Sequence, residues 1–124
     1  MRQSDLDFSG LGAAFFPEHH PRDTWDDYVR LIADCGLKFV RIGEFAWSRL
    51  EPREGRYEFQ WLHLVVEKLG KAGIATILGT PTATPPVWLT EKHPETLFVN
   101  DMGIRNQHGA RRHPCPNNAK YRDY

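Results

Sequence analysis

Only two cysteines, Cys35 and Cys115, occur in 124 residues, too few for the disulfide framework that staples small secreted domains. Net charge is also missing, because sixteen basic residues balance sixteen acidic ones. No overall field therefore draws the chain to nucleic acid or to an anionic membrane surface. Long apolar runs are absent, and nothing approaches the ~20 residues that span a bilayer. The opening Met1-Arg2-Gln3-Ser4-Asp5 carries acid and no apolar stretch, so it does not read as a secretory signal. The expectation is a soluble protein of a reducing compartment, with neither nucleic acid nor membrane among its partners.

What is present suits one globular domain: 40% apolar residues, 12% aromatic, and four tryptophans. Three strand-then-helix units can be read in order. Leu11 to Phe16 reads as a strand stopped by Pro17. Asp23 is the expected N-cap of the helix that follows, with Asp26 and Asp27 in its first turn. Trp25, Tyr28, Val29, Ile32 and Cys35 form its apolar stripe, which makes Trp25 core and Cys35 a buried small hydrophobe. Gly36 ends it. A second strand runs from Lys38 to Phe45, followed by the turn-rich Glu51 to Arg56. The next helix shows Trp61, Leu62, Val65, Val66, Leu69 and Ala72 on one face, pairs Glu67 with Lys71, and closes at Gly73. Ile74 to Gly79 reads as strand three. From Thr80 to Asn118 the pattern predicts a long structured loop, and Asn118 is the expected cap of a last helix beginning at Ala119.

Apolar strands alternating with amphipathic helices predict an α/β fold with a parallel sheet. Strand starts near Gly12, Lys38 and Ile74 are about 26 and about 36 residues apart, near the ~31 per unit of an eight-fold (β/α) TIM barrel. Three units and the start of a further helix make a partial barrel. Such a piece leaves an apolar sheet edge unpaired, which predicts aggregation or pairing with a second copy.

The second strand's far end carries the chemistry. Arg41 and Glu44 are opposite charges at the end of an apolar run, costly to desolvate unless they pair or face a wet cleft. Trp47 follows three residues later. Aromatic faces beside charged hydrogen-bonding groups suit a neutral polar ligand such as a sugar. Arg41 with Glu44 also reads as a plain structural ion pair, and Trp47 and Trp88 read equally well as core packing. Arg111-Arg112 could be a solvated basic pair, and Arg112 is taken as structural. His19 and His20 are adjacent and point apart, so surface or loop histidines are expected.

Phe16-Pro17-Glu18, Val40 through Pro52, Gly79 through Leu89 and Arg111 through Asn117 together resemble, in order and spacing, the catalytic barrel of glycoside hydrolase family 42, the β-galactosidases. The resemblance covers nearly the whole chain from Gly12 and implies an N-terminal extension over residues 1–10, with the N-terminal portion of a TIM-barrel catalytic domain over 11–124. It implies retaining hydrolysis of terminal non-reducing β-D-galactose residues. The acid/base and nucleophile glutamates would follow strands four and seven, beyond Tyr124. None of Glu18, Glu44, Glu51, Glu54, Glu58, Glu91 or Glu95 matches either position. A retaining pair sits about 5–5.5 Å apart, so no catalytic residue is expected in this chain and it is expected to be inactive alone. The resemblance assigns Arg111, Arg41 and Glu44 to substrate binding, with Arg41 near the nucleophile and Glu44 as its partner. It assigns Cys115 to the first of four cysteines around a structural zinc. By itself Cys115 reads as a free thiol, because four ligands are needed. No cofactor is implied for catalysis. A β-galactoside substrate, a homotrimer and a cytoplasmic location are implied. Rival readings are a related retaining glycosidase for another sugar, such as an arabinoside or fucoside, and a non-catalytic or vestigial sugar-binding chain.

Overall fold

Three parallel strands lie side by side in the order in which the chain makes them, β1 (Gly12–Ala14), β2 (Phe39–Ile42) and β3 (Ala75–Leu78). The computed structural model describes residues 9–109 and 114–124. Arg111, Arg112 and His113 lie outside those, as do residues 1–8 of the expected N-terminal extension. The chain divides into two units, one containing residues up to Gly43 with Phe59–Gly79, the other Glu44–Glu58 with Thr80–Tyr124.

The first unit holds the sheet, α1 (Trp25–Asp34) and α3 (Gln60–Lys71), and α2 (Trp47–Leu50) belongs to the second. Register sets Gly12 beside Phe39 and Ala14 beside Arg41, then Phe39 beside Ala75 and Arg41 beside Ile77. Side chains alternate across a strand. Val40 and Ile42 are fully buried, whereas Arg41 between them is exposed. Helix α3 packs on β3 and on α1, and its Trp61, Val65 and Leu69 are buried together with Trp25, Val29 and Ile32 of α1. These six positions of the two helical stripes read from sequence are thus core, whereas Ala72, read on the same face as Trp61, is exposed. Truncating fully buried Leu69 to Ala would cost about 2–5 kcal/mol. The strands are less buried than their apolar sequence predicts: β1 is exposed throughout, and Ile77 and Leu78 are 37% and 58% exposed. Both β1 and β3 are edge strands of this sheet.

Glycine is required at two positions here. A Cβ on Gly12 would fall 2.1 Å from the Phe39 ring, which occupies that space. Gly43 has φ +90°, a conformation that L side chains rarely adopt. It ends β2 at Ile42 rather than at the expected Phe45.

Several local expectations need correction. Asp23 is not a cap. It sits inside a tight turn over Arg22–Thr24, because Pro21 starts that turn and accepts both the amide and the hydroxyl of Thr24. Cys35 is exposed rather than buried, because α1 stops at Asp34 and position 35 lies at the margin of the stripe. The span after β3 is not all loop: Pro86 precedes a short helix, α4 (Val87–Lys92). Neither α4 nor the single turn of α2 is long enough to show a period.

Other features stand as read. The Glu67–Lys71 pair forms at 3.2 Å. Asn118 caps α5 (Ala119–Arg122), its side chain accepting the Tyr121 amide at 2.9 Å.

Candidate functional site

The four residues singled out from sequence are distributed as follows. Arg41 lies on β2 in the first unit, with its carbonyl accepting the Phe15 amide at 2.9 Å and its side chain exposed. Glu44 begins the second unit, directly after Gly43, and is half-buried. Arg111 is outside the described residues. Cys115 is half-buried and gives its amide to the Thr96 carbonyl at 2.7 Å, beside a bridge between Leu97 and Pro114. Among the described residues no three His, Cys, Asp or Glu side chains gather where a metal ion could be held. A structural zinc needs four ligands, so Cys115 could be one of a set completed by residues outside those described.

Within the second unit the best-organised group was assigned no role from sequence. Glu51 is 4% exposed. Its Oε2 accepts the Trp47 indole N–H at 2.8 Å and its Oε1 the Gly55 amide at 2.7 Å. Its backbone carbonyl accepts the Trp88 indole N–H at 2.9 Å. A buried carboxylate is tolerated where donors meet both oxygens, and here a helix-spaced tryptophan and a tight turn provide them. The readable signal was the spacing, since Trp47 and Glu51 are four apart and so lie on one side of a helical turn.

Both indoles are thereby tied down as packing elements. Trp47 is 7% exposed and its ring lies 6.4 Å from that of Tyr121. Trp88 meets Tyr124 edge-on at 5.5 Å. The Tyr121 hydroxyl donates to the Thr82 carbonyl, and burial pushes that phenol above its ordinary pKa.

A second, exposed cluster adjoins the first. Lys92 donates to both oxygens of Glu54 at 2.8 and 2.6 Å, and the Tyr124 hydroxyl donates to Oε1 at 2.6 Å. Lys92 first, then Tyr124, hold the Glu54 carboxyl below the usual range. Glu54 in turn raises both Lys92 and Tyr124.

The unit also contains a hollow of about 450 Å³ lined by Thr82, Ala83, Phe98, Pro114, Pro116 and Tyr121. Among the described residues that lining has no charged side chain, and those residues offer shape without the donor array a sugar needs. Beyond it, Asn100 closes a tight turn by accepting the amides of Met102 and Ile104.

Comparison with known proteins gives a consistent result. The family model described as Beta-galactosidase, that of glycoside hydrolase family 42, matches residues 14–124. A beta-galactosidase from Thermus thermophilus is 46% identical over 113 residues, covering 91% of this chain and 18% of that protein. The solved structure of a polyextremophilic beta-galactosidase from the haloarchaeon Halorubrum lacusprofundi superposes with a TM-score of 0.86 at 43% identity, covering 91% of this chain and 17% of that one. The beta-galactosidase of the psychrophilic Marinomonas ef1 gives a TM-score of 0.85 at 39% identity, again covering 91% and 17%. The chain thus spans less than a fifth of the length of these relatives.

Proposed function

Since this chain belongs to the β-galactosidases of glycoside hydrolase family 42, we propose that it forms the N-terminal part of a catalytic TIM barrel that hydrolyses terminal non-reducing β-D-galactose residues with retention. The observation that carries this is the family match over residues 14–124 with 46% identity to a beta-galactosidase. The parallel order β1-β2-β3, with helices between the strands, supports the barrel, whose repeating unit has that form.

In this reading the chain supplies binding groups and the rest of the enzyme supplies the reacting carboxylates. Arg111 and Arg41 donate to sugar hydroxyls, as planar guanidinium forks do. Arg41 also favours the ionised form of the nucleophile, by the attraction of a nearby opposite charge. Glu44 is the third substrate-binding residue. One downstream carboxyl protonates the leaving oxygen while the other attacks the anomeric carbon, and water then releases galactose from the glycosyl-enzyme. Cys115 contributes one thiolate to a structural zinc, with the remaining three ligands outside these residues. The family pattern adds a homotrimer and a cytoplasmic location. No helix among the described residues is long and apolar enough to cross a membrane.

The test is direct. The purified 124 residues should give no turnover of a chromogenic β-galactoside, whereas the protein from the extended reading frame should cleave it in preference to aryl arabinosides and fucosides. Cleavage by the 124 residues alone would overturn the placement of the catalytic pair.

A further inference from the structure

The geometry points to Glu51 as a positioning residue, one that fixes the segment after β2 (Glu44–Glu58) to the segment after β3 that carries Trp88. It rests on the reading above only for which substrate those segments serve. Three donors converge on this one residue. Two are local, the Trp47 indole four residues before it and the Gly55 amide four after. They pin both carboxylate oxygens and so hold the backbone at 51 in one place. The third comes from Trp88, 37 residues away, and lands on the Glu51 carbonyl. Trp88 does not use the carboxylate, yet the carbonyl it does use is set by the two contacts the carboxylate makes.

The role follows from where these segments stand. In parallel α/β architectures the loops leaving the C-terminal ends of strands carry the site. Binding by such loops weakens when they must first be ordered, and strengthens when they are held in the bound arrangement beforehand. A group that locks two of them together acts on binding without touching substrate. Gln at position 51 keeps the shape but only one acceptor oxygen, and its amide would face one of two N–H donors. Glu51→Gln therefore breaks one local contact, frees the carbonyl, and loosens Trp88.

The experiment has two arms. In the 124-residue chain with ¹⁵N-labelled indoles, Glu51→Gln should speed hydrogen exchange at Trp47 and Trp88 by about ten-fold. Trp25, whose indole is held by the Pro17 and His20 carbonyls, should be unchanged. Unchanged exchange at Trp88, or an equal rise at Trp25, overturns the inference. In the longer enzyme, the same variant should raise KM for a chromogenic β-galactoside about ten-fold with kcat nearly preserved. Loss confined to kcat would count against positioning. An enzyme with no β-galactosidase activity would sink the functional reading and leave the indole arm to decide this one.

Discussion

Trp88 reaches back 37 residues to give its indole N–H to the backbone carbonyl of Glu51, at 2.9 Å. That bond joins two stretches that sequence gives no reason to connect. Replacing Trp88 by Phe keeps an aromatic ring and deletes the donor. The expected loss is about 1–2 kcal/mol, for an acceptor left without its partner. It should appear as a lower urea midpoint with an unchanged slope.

The ion cluster of Glu54, Lys92 and Tyr124 predicts a pH window. Glu54 has a lowered folded pKa, so its contribution is present above its ordinary 4.5 and is lost as pH falls through the lowered value. Lys92 and Tyr124 have raised values. Their contributions are present below the ordinary 10.5 and 10.0, and are lost as pH rises through the raised ones. All three groups are exposed, so the effect is small and screened by salt. Thermal midpoints across pH should flatten on the acid side in Lys92→Met, and the difference from the parent should shrink in high salt.

The Phe39 ring lies where a side chain on Gly12 would go, 2.1 Å from an added Cβ. Gly12→Ala should destabilise by about 1–3 kcal/mol, the usual cost of overpacking. Adding Phe39→Leu should recover part of that loss. If the single variant unfolds at the parent's midpoint, the close approach is not a constraint.

Both outer strands of the sheet have an edge without a strand partner among the described residues, and Leu78 on β3 is 58% exposed. The 124-residue chain should therefore associate as its concentration rises. Sedimentation velocity should show this, with Leu78→Lys reducing it. A cooperative monomer at all concentrations would contradict the expectation.

The Asn118 side chain holds the Tyr121 amide, so Asn118→Ala should cost about 1 kcal/mol. Amide exchange at Tyr121 should quicken before the amides of α3 respond.

Much of this fold was legible because it repeats. The stripes of Trp25, Val29 and Ile32 and of Trp61, Val65 and Leu69 are periodic, and all six residues are buried. Gly36 and Gly73, read as helix ends, both take positive φ. Features set by single contacts were not legible. Pro21 started a turn early and displaced Asp23 from its expected cap. The four-residue α2 and the six-residue α4 carry too little pattern to be seen, whereas the equally short α5 was read from its Asn118 cap. Glu51 looked like one charge among many in a turn, because its partners become neighbours only on folding. For the proposed substrate-binding residues, motif likeness named Arg41, Glu44 and Arg111, and spacing alone would have left Arg41 with Glu44 as an ordinary ion pair. The weak burial of β1 and β3 was hidden for a different reason: an apolar strand reads alike whether or not its outer face is covered.

Gly43 sets a limit on how this chain can vary. At φ +90° drift at this codon meets a torsional obstacle, while the Gly79 carbonyl, 3.4 Å from where a methyl would sit, stands at ordinary contact distance. Asparagine, the usual second choice for such torsions, would still carry a Cβ that positive φ disfavours. Across descendants of this gene, substitutions should therefore accumulate at neighbouring positions while this one keeps its hydrogen.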